Sequence, residues 1–172
     1  VLYRLLYSRL DHYITALNEL AERLLSDLQD IEELLQDGPL TGIAQIKLGS
    51  GDTHKGGRSV SIVIFKGGQR IVYKPRSLSI DIEFQQFIGW LNASNNHRPE
   101  MKKIRFIERE GYGWSEYIDY SEAESEEDVS LFYQRLGQLL AVLHIMNATD
   151  FHYENIIADQ SQPVLIDLES LF

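Results

Sequence analysis

Thr149-Asp150-Phe151-His152-Tyr153-Glu154-Asn155, followed by Val164-Leu165-Ile166-Asp167-Leu168-Glu169, is the stretch on which the reading of the fold turns. Asp150, His152 and Asn155 form the pattern D-x-H-x-x-N, and a second carboxylate, Asp167, closes a short apolar run. A phosphoryl-transfer centre calls for these residue types. One carboxylate orients or deprotonates an acceptor hydroxyl, while an amide oxygen and a further carboxylate hold magnesium against phosphates. Asp150 and His152 are therefore candidate catalytic residues. Asn155 and Asp167 are candidate magnesium ligands, with Glu169 in support. The bland alternative for each residue alone is a turn cap or a satisfied core histidine. The spaced set favours function.

Upstream of this loop, residues 126–147 carry Val129, Leu131, Phe132, Leu136, Leu139, Leu140, Val142, Leu143, Ile145 and Met146. So apolar a stretch predicts a helix buried on most sides. The acidic run Ser121–Asp128 leads into it and suits a helix N-terminus. Short apolar runs with strand character occupy Ile43–Leu48, Ser59–Phe65, Arg70–Lys74, Ile104–Glu108 and Tyr112–Tyr120, with Ile156–Ala158 and Val164–Ile166 beyond. Lys66-Gly67-Gly68-Gln69 is a hairpin signal. Residues 79–92 return to helical spacing through Ile82, Phe87, Ile88 and Leu91. Residues 1–36 read as one or two packing helices, stopped by Asp37-Gly38-Pro39.

The order is helix, strands, helix, strands, long helix, loop, small hairpin. The interval from Asp150 to Asn155 equals that of a protein-kinase catalytic loop, and Asp167 falls where the kinase metal-binding Asp would fall. The expected fold is α+β with a kinase-like core. It divides into a helical segment over 1–42, a sheet-rich lobe over 43–120 that includes helix 79–92, and the start of a helical lobe over 121–172.

Composition narrows the function classes. The 172 residues include no Cys, which excludes disulfides and thiolate metal sites, and a net charge of −10 argues against a general nucleic-acid binder. No apolar run reaches membrane-spanning length and no signal peptide is visible. A cytoplasmic location is the expectation. The chain begins at Val1 within a helical pattern and stops at Phe172 beside Asp167, and so reads as a piece of a longer protein.

Other candidates lie in the sheet region. Lys74, in Ile71-Val72-Tyr73-Lys74-Pro75-Arg76-Ser77, can place an ammonium on ATP phosphates from a strand that Pro75 ends. Arg76 is a second phosphate candidate. Glu83 is the candidate ion-pair partner of Lys74. The alternative is that these are solvated surface charges. Gly51-Asp52-Thr53-His54-Lys55-Gly56-Gly57-Arg58-Ser59 is a Gly-rich turn between strands whose N–H groups can approach phosphates, or an ordinary hairpin loop. Trp114–Ile118 is a candidate hinge whose backbone reads an adenine edge. His12, His97 and His144 stand outside any constellation.

Gly51–His54, Ile71–Leu78, Thr149–Asn155 and Leu165–Glu169 together resemble the dehydratase domain of class II lanthionine (lanthipeptide) synthetases, in order over residues 43–172. The D-x-H-x-x-N loop is also similar to that of lipid kinases. The resemblance implies a lipid-kinase-like core that uses ATP and Mg2+ to phosphorylate Ser and Thr of a ribosomal precursor peptide, a leader followed by a Ser/Thr-rich core. Phosphate elimination then gives dehydroamino acids. It also implies a zinc-dependent cyclase elsewhere in the same polypeptide, with Zn2+ confined to that part. By motif, Lys74 touches phosphates, Asp150 and His152 belong to the catalytic loop, and Asn155 and Asp167 hold magnesium. Glu169 stands where a kinase D-F-G has Gly, and Asp52 and His54 match residues important for activity. The rival readings are a lipid- or small-molecule-type kinase without elimination, and an inactive peptide-binding scaffold.

Overall fold

The computed structural model describes residues 2–53, 57–94, 98–169 and 171, with the backbone alone over 50–53. The chain forms two compact units. The first comprises residues 1–78 and 105–117, and the second residues 79–104 and 118–172. Among the described residues no helix is long and apolar enough to cross a membrane.

The first unit is an N-terminal helix, α1 (Leu2–Leu35), with a five-stranded antiparallel sheet. The strands are β1 (Ile43–Thr53), β2 (Ser59–Phe65), β3 (Arg70–Lys74), β4 (Phe106–Arg109) and β5 (Tyr112–Glu116), in spatial order β1-β2-β3-β5-β4. The hairpin expected at Lys66–Gln69 joins β2 to β3. Gly68 takes φ +91°, which favours glycine, and Phe65 N–H donates to Gln69 O at 2.9 Å. Alternation along β2 turns Ser61, Val63 and Phe65 inward. Leu20, Leu24, Ile31 and Leu35 meet Val63, Phe65, Ile71, Tyr73, Ile107 and Trp114 in one apolar core. The helix ends as its punctuation predicts, with Gln36 in the left-handed region at φ +58°. It is one helix, and only its second half is buried. Leu2, Tyr3, Leu6, Leu10 and Ile14 are all more than half exposed.

Within this core sits a carboxylate. Asp27 of α1 is 3% exposed. It accepts from Trp114 Nε1 at 2.8 Å, Tyr112 Oη at 2.9 Å and Arg109 Nε at 2.9 Å. Arg23, one turn earlier, donates to Tyr73 Oη and lies 4.3 Å from the centre of the Tyr112 ring. Arg58 donates to Glu19 at 2.6 Å. A polar ladder thus runs down one helix edge and ties it to β3, β4 and β5.

The second unit contains α2 (Ser79–Ala93), α3 (Glu126–Ile145), a 3-10 turn over Tyr153–Asn155, and the hairpin β6 (Ile156–Asp159) and β7 (Gln162–Leu165). Its core joins Phe84 and Ile88 of α2 to Met101, Leu139, Val142, Leu143, Leu165, Leu168 and Leu171. Ser125 caps α3: its Oγ accepts from Asp128 N–H at 3.1 Å, while Asp128 returns a bond to Glu124 N–H at 3.3 Å. The helix stops where Asn147 turns left-handed at φ +53° and Ala148 N–H donates to Leu143 O.

Several expectations are corrected. Helix 79–92 does not group with the strands of 43–120, because its buried face fills the second core. The N-terminal helix is not a separate segment over 1–42, since it closes the sheet's core. The helix over 126–147 is not buried on most sides. Arg135, Leu139, Val142 and Leu143 form one buried stripe, while Val129, Leu140 and Ile145 are exposed. The strand expected at Ile104–Glu108 starts at Phe106, and that expected at Tyr112–Tyr120 stops at Glu116.

Removing the Asp27 carboxylate leaves the buried Trp114 donor and the half-buried Tyr112 hydroxyl without that acceptor, and leaves Arg109 with Asp30 as its remaining carboxylate. Asp27→Ala is expected to lower stability by about 1–3 kcal/mol, measured by denaturant unfolding; a loss below ~0.5 kcal/mol would remove the network from any structural role. Burial pushes Asp27 up, but the bonds from Trp114, Tyr112 and Arg109, with the Arg109 charge, outweigh it and hold its pKa below the ordinary value. A carboxylate depressed in the folded state stabilises fully above its unfolded pKa of about 3.9 and loses that contribution as pH falls through the folded value. The melting temperature is therefore expected to drop on acidification below about pH 4, and to drop less steeply in Asp27→Asn. Equal slopes in the two proteins would contradict this assignment.

Candidate functional site

The D-x-H-x-x-N loop follows α3 directly, and backbone geometry explains its shape. Asp150 takes φ +60°, a conformation that Asp and Asn tolerate better than bulky residues. Asn155 holds it there, since its side-chain Nδ2 donates to Asp150 O at 3.0 Å. Asn155 N–H donates to His152 O at 3.0 Å, closing the 3-10 turn. Its own carbonyl accepts from Ile166 N–H at 3.0 Å, extending the β6–β7 ladder beyond the Ile156–Leu165 pair. Asn155 therefore joins the loop to the residue before Asp167 through its side chain and backbone together.

This arrangement decides which side-chain atom of Asn155 is committed to the loop. With Nδ2 committed to Asp150 O, the remaining polar atom is Oδ1, a neutral oxygen of the kind magnesium accepts. Asp167 is one residue beyond the ladder and is exposed; its Oδ1 accepts from Glu169 N–H at 3.3 Å. Asn155 and Asp167 thus leave the same end of one hairpin, on opposite strands. Among the described residues no three His, Cys, Asp or Glu side chains are placed together to hold a metal ion. Zinc would want such a set of nitrogen or sulfur donors. The hard-oxygen pair here fits magnesium, which commonly takes one or two protein ligands beside water and phosphate oxygens.

His152 is exposed, so it is not a core histidine. It caps the 3-10 turn, its Nδ1 accepting from Glu154 N–H at 3.3 Å. That bond places the ring proton of the neutral form on Nε2, 4.0 Å from Glu154 Oε2. The Asp150 side chain is exposed at the loop's start. Asp150, His152, Asn155, Asp167 and Glu169 accordingly all lie in the second unit, where the bonds of Asn155 tie the loop to the residue before Asp167.

The remaining candidates divide between the units. Lys74 ends β3 and is 6% exposed, with Nζ 5.7 Å from the centre of the Phe106 ring. A lysine so buried is not a solvated surface charge, and its stem is packed as a phosphate-directed lysine requires. Arg76 donates to Ser77 O at 3.0 Å in the following turn. Glu83 is exposed on α2. The buried carboxylate of that helix is Asp81, in its first turn and fully enclosed. Sequence reasoning missed it. Its signal was an Asp set between Ile80 and Ile82 at a helix start. Asp52 lies at the end of β1, where the backbone alone is described, and His54 lies outside the described residues. The turn expected over 51–59 is in part strand, since β1 runs to Thr53 and pairs it with Ser59.

The hinge expected at Trp114–Ile118 narrows. β5 lies between β3 and β4, so the backbone of Trp114 and Ser115 is taken up by ladders on both sides. Glu116 N–H donates to Arg105 O at 3.1 Å. Only Tyr117 and Ile118, past the strand, retain backbone outside the sheet.

The chain is 29% identical over 178 residues to the lacticin 481/lactococcin biosynthesis protein LcnDR2 of Lactococcus lactis subsp. lactis. That alignment covers 97% of this chain and 19% of the relative, so the chain spans about a fifth of the relative's length. The similarity bears out the resemblance drawn from the four motifs. A family profile described as "Domain of unknown function (DUF4135)" matches residues 1–172, and with the whole length covered the chain belongs to that family.

Proposed function

We propose that this chain supplies the phosphorylation half of a peptide dehydratase in lantibiotic biosynthesis. On this reading the fold is a lipid-kinase-like core. The γ-phosphoryl of ATP passes to a Ser or Thr hydroxyl of a ribosomal precursor peptide, ADP leaves, and the hydroxyl proton is taken up by a base. In the full-length enzyme a base then removes the α-proton, the Cβ–O bond breaks, and phosphate departs to leave a dehydroamino acid. Hydroxide is a poor leaving group and phosphate a good one, which gives the first step its purpose.

The observation that carries the reading is the double engagement of Asn155. It bonds the backbone of Asp150 through Nδ2, which leaves Oδ1 as its other side-chain polar atom, at the hairpin end that also bears Asp167. Asp150 orients or deprotonates the acceptor hydroxyl, Asn155 and Asp167 hold Mg2+, and Glu169 supports Asp167 through its backbone N–H. Mg2+ would supply charge neutralisation at the phosphates. Lys74 is assigned to phosphates by motif and by its packed stem, and Arg76, Asp52, His54 and Glu83 are assigned by motif or position alone. His152 shapes the loop as a cap. The relative's name supports the biosynthetic setting. A cytoplasmic location, a leader-bearing peptide partner and a zinc-dependent cyclase in the same polypeptide belong to the same proposal.

The test is mass spectrometry of a candidate precursor peptide after incubation with the full-length protein, ATP and Mg2+. Water loss at Ser or Thr, preceded by a phosphorylated intermediate, is expected. Asp150→Asn is expected to slow phosphorylation by about 10²–10⁴-fold without changing the melting temperature. Asp167→Ala is expected to abolish Mg2+-dependent phosphorylation; a fully active Asp167→Ala protein would overturn the metal assignment. ATP-dependent phosphate that accumulates on the peptide without water loss would point instead to a kinase lacking elimination.

A further inference from the structure

The β6–β7 hairpin presents Asn155 and Asp167 at its open end, and its closed end is held by one buried cation. Arg135 of α3 is 8% exposed. Its guanidinium donates from Nε to Glu100 O and from Nη1 to Ser161 O, both at 2.7 Å. Ser161 lies in the hairpin's turn, and Glu100 belongs to the segment beside it. These bonds go to backbone carbonyls. Burying a guanidinium against neutral acceptors is costly unless its planar fork is used, and here the fork spans two chain segments at once.

Neighbouring contacts support the same clamp. Lys102 Nζ meets Asp159 Oδ2 at 2.6 Å, and Lys102 N–H donates to Gln162 Oε1 at 3.0 Å. On the other side Gln160 N–H donates to Ser121 O and Ser121 N–H to Ala158 O, both at 2.9 Å. These outer contacts are partly exposed, while Arg135 is enclosed. The ladder from the turn to the open end is only four residue pairs long, from Asp159–Gln162 to Ile156–Leu165. A two-stranded ribbon of that length has little stability of its own. Its open end is placed by Ile156, Leu165 and Leu168 packing in the second core and, along the ladder, by what holds the turn.

We propose that Arg135 is a positioning residue for the Asn155–Asp167 pair, acting through the hairpin; this rests on the magnesium–ATP reading above. It touches neither substrate nor metal. It fixes the turn at Ser161 against α3, the hairpin transmits that position, and the Ile166 N–H to Asn155 O bond registers it at the site. Groups that orient metal ligands from outside the coordination shell affect metal affinity about 10–100-fold.

The test uses Arg135→Met and Arg135→Lys in the full-length protein, with two readouts. The first is hydrogen exchange, followed by mass spectrometry, in peptides covering residues 153–168 and, as control, 136–146. The second is affinity for Mn2+–ATP, measured by the resonance signal of free Mn2+. Arg135→Met is expected to exchange about tenfold faster over 153–168 with little change over 136–146, and to bind Mn2+–ATP about tenfold more weakly. Arg135→Lys keeps the charge but cannot bridge two carbonyls in a fixed fork, so it is expected to recover only part of both effects. Unchanged exchange over 153–168, or an equal rise in both peptides, would overturn the proposal, as would full recovery by Lys. If the unsubstituted protein fails to bind Mn2+–ATP, the magnesium–ATP reading falls and the site role of Arg135 falls with it. The exchange data would then still separate a hairpin clamp from general destabilisation. Should Arg135→Met not fold, Arg135→Lys alone decides on the same criteria.

Discussion

A carboxylate taken out of water has to be bonded, and Asp27 meets that demand with groups from two different strands. Its partners Arg109, Tyr112 and Trp114 come from β4 and β5, while Asp27 itself belongs to α1. Apolar packing alone would let a helix slide or rotate over a sheet at small cost, because it is non-directional. Three donors converging on one carboxylate permit one rotation and one register. The Arg23–Tyr73 contact, one helical turn earlier, extends the same constraint to β3. Trp114 is fully enclosed in consequence, and its ring stands 5.0 Å from that of Tyr73. Lys74, the residue after Tyr73, therefore belongs to a strand whose position is fixed from both the apolar and the polar side.

The second unit solves a different problem. Its chemistry-bearing residues are exposed, and exposed side chains are placed only as well as their backbone. Three devices supply that placement: the left-handed turn after α3, the Asn155 side-chain bond to Asp150 O, and the hairpin ladder that ends at Ile166. Each acts on the main chain. The side chains of Asp150 and Asp167 are exposed, while Leu139, Leu143, Leu165 and Leu168 build the buried apolar cluster. That cluster forms the floor beneath the hairpin, and Leu165 and Leu168 flank Asp167 within it.

Much of this was legible from local pattern. The 3.6-residue repeat marked α1, the glycine pair at 67–68 marked a hairpin, and the interval from Asp150 to Asn155 marked a closed loop. What escaped notice depends on partners far away in sequence. Nothing around residues 79–92 states which core α2 serves, and a shift of register by two positions separates exposed Glu83 from enclosed Asp81. The apolar count of α3 overstated its burial because one stripe suffices for packing, and the cation inside that stripe, Arg135, was invisible to a search for hydrophobic residues. β1 runs through glycines that read as a turn, since pairing with β2 overrides their weak strand preference. The identity of the loop's residues was plain, but the atoms they use were not. That Asn155 spends its amide nitrogen on Asp150 O follows from chain geometry alone.

The first unit is discontinuous, with residues 79–104 inserted between β3 and β4. This sets an order of events for a chain made from its N-terminus. The donors that satisfy Asp27 lie 82 to 87 residues downstream of it. When α1 and the first three strands have left the ribosome, the sheet still has an open edge at β3 and the helix carries an unanswered carboxylate. Closure of such distant contacts is entropically slow. The N-terminal helix can meet the apolar faces of β2 and β3 early, but its Asp27 bonds close only after α2, a component of the other unit, has already been synthesised.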